Sequence, residues 1–387
     1  MNSQSEKLLF ALIRTAVFGE KLTEEEKKHV SRETLNEAYL MAKKHDVSHL
    51  VAQGISDNAL VEGDNAAIMS DVYKAVYRYQ QINYEYNQIC DALENGKIDF
   101  LPLKGSVIRK YYSKPWMRNS CDIDILVRKE DLNSAITHLF DTLNYTEKER
   151  SAHDVSLYST SGVHVELHFD LVEEGRANNA AHVLSTAWEN VHLKDGCSYH
   201  YEMSDEFFYF YHIAHMTKHF ESGGCGIRPF IDLLILDTQE DRDEKKRNEF
   251  LEKSDLLKFA EASRSLSRYW FDFGEPSILV LKLQDFLLNG GAYGTTDNRV
   301  ALLQKKHGGR RRFLLSRIFI PYEKLKRYYP VLEKHRWLMP FMQVRRWFML
   351  LRPDVADRAR RELRLNRTLD EAKAEEMNQF MIDLGIK

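Results

Sequence analysis

Cys121-Asp122-Ile123-Asp124-Ile125-Leu126-Val127 and, further along, Val163-His164-Val165-Glu166-Leu167-His168 decide the fold of this chain. In both stretches polar and aliphatic residues alternate with a period of two. That is the pattern of a β-strand with one face in a core. Residues i and i+2 of a strand share a face. Asp122 and Asp124 therefore project together, while Ile123 and Ile125 enter the core.

Working outward, Ile98 to Leu103 is short and apolar and reads as another buried strand. Lys104-Gly105-Ser106 follows it, then a helical stretch to about Tyr112, and Glu130 to Leu143 reads as a helix. His153–Ser159 and Val163–Phe169 read as strands joined by a turn through Gly162. The expectation is a four-stranded sheet over roughly 97–170. The chain before Gly96 is helical in pattern. Thr23 and Glu26 form a capping box. Asp71 to Asn95, free of Gly and Pro, should run as one helix with its tyrosines and Ile82, Ile89 and Leu93 facing inward. From about Asn178 the pattern is helical again, with Asp237–Arg247 an exposed loop or helix. The predicted class is α+β, a mixed sheet flanked by helices. Its expected parts are a helical subdomain (1–96), the sheet-bearing core (97–175), a helical domain closing a cleft (176–300) and a basic helical segment (301–387).

The composition excludes other classes. The 387 residues carry 43% hydrophobic and 29% charged side chains, ordinary values for a globular protein. Four scattered cysteines form no CxxC pair, which excludes a zinc ribbon and fits a reducing compartment. The N-terminus reads as an amphipathic helix and not a signal peptide. No uncharged apolar run reaches the roughly 18 residues of a spanning helix. A cytoplasmic protein is expected. The net charge of −3 hides an asymmetry: Lys305 to Arg361 holds 17 Lys and Arg against 4 Asp and Glu, a local +13. Such a segment suits an anionic partner, an internal dock on the acidic remainder, or a solvated helical surface. Within it Arg345-Arg346-Trp347-Phe348-Met349-Leu350-Leu351-Arg352 reads as a packed core helix with exposed arginines in preference to a membrane-surface helix.

Asp122 and Asp124 repel as anions, and a divalent cation removes that penalty. Mg²⁺ takes oxygen ligands and commonly sits between one or two carboxylates and substrate phosphates. Glu166, on a neighbouring strand, adds the third carboxylate of a two-metal phosphoryl-transfer site. Gly105-Ser106 lies where backbone N–H groups and a helix N-terminus can hold phosphate. Lys104 and Arg118 add positive charge. No P-loop, HExxH or GxSxG motif is present.

Leu103-Lys104-Gly105-Ser106, Tyr111, Arg118, Asp122 to Val127 and Val165-Glu166-Leu167-His168 together resemble the polymerase-β-like nucleotidyltransferase superfamily. They look in particular like a bacterial group labelled uncharacterised nucleotidyltransferase. Ala42 to Leu50, the set His212, His215 and His219, and the pair Arg228 and Asp232 also fit that group. A more distant similarity is to AbiEii-like toxins. The resemblance covers about Ala42 to Leu236. It implies the polymerase-β-like fold and transfer of NMP from an NTP, with release of pyrophosphate. Asp122, Asp124 and Glu166 would be the catalytic metal ligands for one or two Mg²⁺ ions, with Glu166 as base for the acceptor. Lys104, Gly105, Ser106, Arg118, His168, His215, His219, Arg228 and Asp232 would face the nucleotide. Fifteen residues separate Ser106 from Asp122, slightly more than the minimal pattern has, which puts Arg118 in an inserted turn.

His212, His215 and His219 share one helix face. They could bind Zn²⁺, but no fourth ligand is evident, and a helix lining the cleft is preferred. Arg228 and Asp232 suit either an i, i+4 ion pair or a nucleotide contact. A small-molecule or peptide acceptor is expected. The alternatives are RNA or tRNA, through Lys305–Arg361, and a catalytically inactive nucleotide-binding module.

Overall fold

The computed structural model describes residues 3–61, 66–172, 178–240, 242–349, 364–368 and 371–386. The chain enters through α1 (Ser3–Phe18), α2 (Glu24–Lys27), α3 (Arg32–Lys44) and α4 (Ser48–Asp57). The capping box holds: Thr23 N donates to Glu26 and Glu26 N to Thr23 Oγ1. Leu9, Leu12 and Ile13 of α1 are fully buried. Gly54 lets α4 approach α1, since a Cβ there would sit 2.2 Å from the Leu12 carbonyl oxygen.

The long helix α5 spans Ala66–Asn95. Ile82, Ile89 and Leu93 face the sheet as expected, but Tyr73, Tyr77 and Tyr84 are exposed. A helix buries only one stripe when it lies on a sheet, and the aliphatic residues occupy it.

The sheet has five strands, not four: β1 (Phe100–Pro102), β2 (Asp122–Val127), β3 (Thr146–Arg150), β4 (Asp154–Tyr158) and β5 (His164–His168). Their order is β1-β2-β5-β4-β3. Only β2 and β5 run parallel; the other pairs are antiparallel. The unexpected strand is Thr146-Glu147-Lys148-Glu149-Arg150, exposed throughout at the sheet edge. It buries neither face and so carries no alternation. A second departure is the hairpin β6 (Val191–Leu193) and β7 (Tyr201–Met203), inside a region read as helical.

Helices α5 and α7 (Leu132–Leu143) cover one face of the sheet. Ile123, Ile125, Val165 and Leu167 pack there with Ile89, Leu93 and Leu139. The opposite face carries the polar residues of β2 and β5. It looks toward α9 (Asp205–Glu221) and α10 (Arg228–Asp237). These helices share one core with α1, α3 and α4, with α11 (Glu244–Lys253), α12 (Leu257–Phe271) and α13 (Ile278–Gly290), and with the end of the chain at Leu384. Arg247, in the stretch read as exposed, is wholly buried; it pairs with Asp205 and lies over the Tyr209 ring.

The basic segment folds into short helices, α14 (Thr296–Lys306), α15 (Arg310–Ile318), α16 (Tyr322–Tyr328), α17 (Val331–Lys334) and α18 (Met339–Met349). Helix α14 packs on Glu371–Asp383, where Lys305 pairs with Glu375.

Candidate active site

The parallel register of β2 and β5 sets Asp122 beside His164 and Asp124 beside Glu166. Because i and i+2 share a face, all five polar residues of the two strands point away from the α5 and α7 side. Two groups converge closely enough to hold a cation: Asp122, His164 and Glu166, and Asp124, Glu166 and His168. Within each group the ligand atoms lie within 4.8 Å of one another.

Lys104 and His168 fill the space between the acids. Lys104 Nζ donates to Asp124 Oδ1 at 2.7 Å and stands 3.8 Å from Glu166 Oε2. His168 Nε2 lies 3.0 Å from Asp124 Oδ1 and 3.5 Å from Glu166 Oε2. Burial disfavours an ionised Asp124, but the Lys104 ammonium, and then His168, outweigh it and hold its carboxyl far below the usual range. Burial would strip the Lys104 proton; the Asp124 charge outweighs this and pushes the amine up. Burial likewise acts against a charged His168, yet its hydrogen bonds to Asp124 and Glu166 raise it. That same hydrogen bond lowers Glu166 against burial. Asp122 has no such partner: burial, and then the Asp124 charge, push it up.

Lys104 reaches this position through an uncommon backbone conformation. Its φ of 47° is positive, although it is not glycine. Leu103 N donates to Asp124 O, which anchors the preceding residue on β2. The next turn is α6 (Gly105–Ile108). A Cβ on Gly105 would lie 3.3 Å from Ser120 Cβ and 3.4 Å from Arg118 Nη1, so the close approach favours glycine. Arg109, buried, ties this turn down by donating to Gly105 O and Ser120 Oγ.

A cleft of about 300 Å³ opens over the cluster. Lys104, Gly105, Asp122, Asp124 and Glu166 form its floor; Arg118, Arg228 and Asp232 line one wall and Tyr211, His215, Lys218 and His219 another. Ser106 is not among its lining residues. Its amide donates to Leu103 O, and the residue lines a separate cavity with Tyr79, Asn83 and Arg109. Ser106 Oγ is buried and makes no hydrogen bond among the described residues. His168 sits behind the acids and touches the cleft only through them.

Arg228 and Asp232 each bond to other partners. Asp232, fully buried, accepts from Arg118 Nε at 2.7 and 2.8 Å and from the Tyr112 hydroxyl at 2.7 Å. Arg228 Nη1 instead donates to Asn119 O at 2.9 Å and lies 3.5 Å from Asp46. Arg118 Nη1 reaches the same Asn119 oxygen, so two guanidiniums meet at the cleft wall. Burial works against a charged Arg118; Asp232 more than compensates and raises it.

Among the histidines, His212 Nε2 binds the Pro229 carbonyl oxygen and links α9 to α10. Burial, followed by the Lys104 charge, drives His215 well below the usual value, which leaves a neutral ring. His212, His215 and His219 make no converging ligand set among the described residues. Sequence reasoning missed Tyr211, Lys218, Tyr112 and Arg109. Tyr211 and Lys218 lie on the face of α9 that carries the histidines, and helical spacing from His215 could have shown them. For Tyr112 and Arg109 no such signal exists.

No curated protein and no solved structure matches this chain. A family model described as an uncharacterised nucleotidyltransferase does match, over residues 31–272. This stretch is more than half of the chain and contains the whole carboxylate cluster, both arginines and the histidine face, so the protein is an enzyme that belongs to this nucleotidyltransferase family.

Proposed function

We propose that the protein transfers NMP from an NTP to a hydroxyl or phosphate of a small-molecule or peptide acceptor, with Mg²⁺ as cofactor, on a polymerase-β-like core. The observation that carries this reading is the convergence of Asp122, Asp124 and Glu166 on one sheet face at the floor of a cleft walled by Arg118 and Arg228. The donor set is hard oxygen, which suits Mg²⁺. In the acceptor's attack on the α-phosphorus, a new P–O bond forms as the bond to pyrophosphate breaks.

Asp122 and Asp124 would hold the cation that carries the triphosphate, and Glu166 one nearer the acceptor. A divalent ion there supplies neutralisation of phosphate charge and a more acidic attacking hydroxyl. Lys104, placed against Asp124, is within reach of charge that develops on the leaving phosphates. Arg228, more accessible than Arg118, takes the outer phosphates, and Arg118 positions the wall through Asp232. Glu166 accepts the acceptor's proton. His168 orients Asp124 and Glu166 from behind.

The test is incubation with an α-labelled NTP and Mg²⁺, followed by pyrophosphate release and label in product. Asp122→Asn and Asp124→Asn should each abolish both signals and leave the melting curve cooperative. Full turnover in either variant would refute the assignment.

A further inference from the structure

Helix α18 and the turn before it present an apolar ridge to solvent. Trp337, Phe341, Val344 and Phe348 follow one another at helical spacing and are 69, 63, 43 and 69% exposed. The stretch Arg345–Arg352 reads in sequence as a packed core helix; its last three residues lie outside the described residues, Phe348 is exposed, and the core side of α18 is taken by Gln343 and Trp347, which bind the Ile320 and Ile318 carbonyls. The rings of Trp337 and Phe341 touch at 6.4 Å, and Phe319, also exposed, packs edge-on against Trp347 at 5.5 Å. Exposed apolar surface of this extent marks an interaction site.

The charge around it is one-sided. From Lys334 to Arg352 the chain has Lys334, Arg336, Arg345, Arg346 and Arg352 and no Asp or Glu. Arg336 and Arg345, next in sequence to Trp337 and Val344, are exposed. No helix among the described residues is long and apolar enough to cross a membrane.

We propose that this ridge docks the protein on an anionic lipid surface, with α18 lying in the interface. Hydrocarbon and phosphate lie side by side there, matching an apolar stripe rimmed by arginine. Base stacking in RNA would use the rings but has no use for Val344 at the centre of the ridge. A protein partner would need apolar and acidic groups in matching register; a bilayer needs none. The surface is remote in sequence from the cleft residues, and the proposal does not depend on the reaction assigned to them.

The test is co-sedimentation of the full chain with vesicles of phosphatidylcholine alone and of phosphatidylcholine with phosphatidylglycerol. Binding only to the anionic vesicles, weakened by salt, is expected. Phe341→Ser with Phe348→Ser should lower partitioning at least about tenfold. Arg336→Gln with Arg345→Gln should lower it about 25-fold, about fivefold for each charge. Phe341 and Phe348 are exposed, so melting of the serine variant and Mg-NTP binding of both variants should stay unchanged; Arg336 and Arg345 lie over the Tyr322 and Tyr329 rings at 4.6 and 5.5 Å, so the glutamine variant should melt slightly lower. Three results would overturn the proposal: no binding of the wild type, binding indifferent to both pairs, or loss of tRNA binding or of a dimer in the serine variant without any effect on vesicles.

Discussion

Lys104 Nζ and Asp124 Oδ1 stand 2.7 Å apart, joining residues twenty positions distant in sequence across the floor of the cleft. This single contact places a cation among three carboxylates. Removing it leaves Asp124 to repel Asp122 and Glu166. Lys104→Met should therefore destabilise the protein by about 2 kcal/mol, below the 3–5 expected for a fully buried pair because Lys104 reaches the cleft. Mg²⁺ should restore more of the variant's melting temperature than of the wild type's. Scans in EDTA and in Mg²⁺ decide it; an equal Mg²⁺ effect on both proteins would speak against the contact.

Arg118 and Arg228 should separate in their effects. Asp232→Ala leaves a buried guanidinium and the Tyr112 hydroxyl without their acceptor, and should cost about 3 kcal/mol in denaturant unfolding. Arg228→Ala removes a partly exposed charge, should cost less than about 1 kcal/mol, and should weaken NTP binding. Equal stability losses would contradict the division of roles.

The strands and the acids were legible because the carboxylate face and the aliphatic face alternate through Asp122–Ile125 and Val165–Leu167. The same rule hid Thr146–Arg150, whose side chains are exposed on both faces. The Arg118–Asp232 bridge was not legible, because the i, i+4 spacing of Arg228 and Asp232 offered a local partner. Contacts between residues 114 apart leave no periodic trace. That Ser106 lines a cavity other than the cleft was not legible either, because its position after a strand suits a phosphate contact equally well. For Phe348, the pattern of Arg345–Arg352 suited a packed helix, and sequence alone does not show whether anything covers that face.

Buried histidines contribute to the acid limit, His45 and His200 among them. Burial, with the neighbouring Lys44 charge second, lowers His45 to about 4. Burial, then Lys194, lowers His200 to about 4. A histidine with a folded pKa below its unfolded value contributes stability above pH 6.5 that is lost as pH falls toward 4. Each should contribute on the order of 3 kcal/mol to that loss. Unfolding midpoints measured across this window should fall, and His45→Gln should flatten the slope in part, because burial also lowers His49, His212 and His215, which share the loss. An unchanged slope would contradict the assignment.

Glu166 should matter to turnover more than to substrate affinity. Glu166→Gln keeps the shape and the Asp pair, so Mg-NTP should still bind within about tenfold while transfer is lost. Affinity lost as severely as in Asp122→Asn would mean that the acids do not divide the work.

Calorimetric titration of the full chain with NTP separates a metal-dependent nucleotide site from any other use of the cleft. Saturable binding is expected in Mg²⁺, none in EDTA, and none with Asp124→Asn in Mg²⁺. Equal binding with and without Mg²⁺, or undiminished binding by Asp124→Asn, would contradict it.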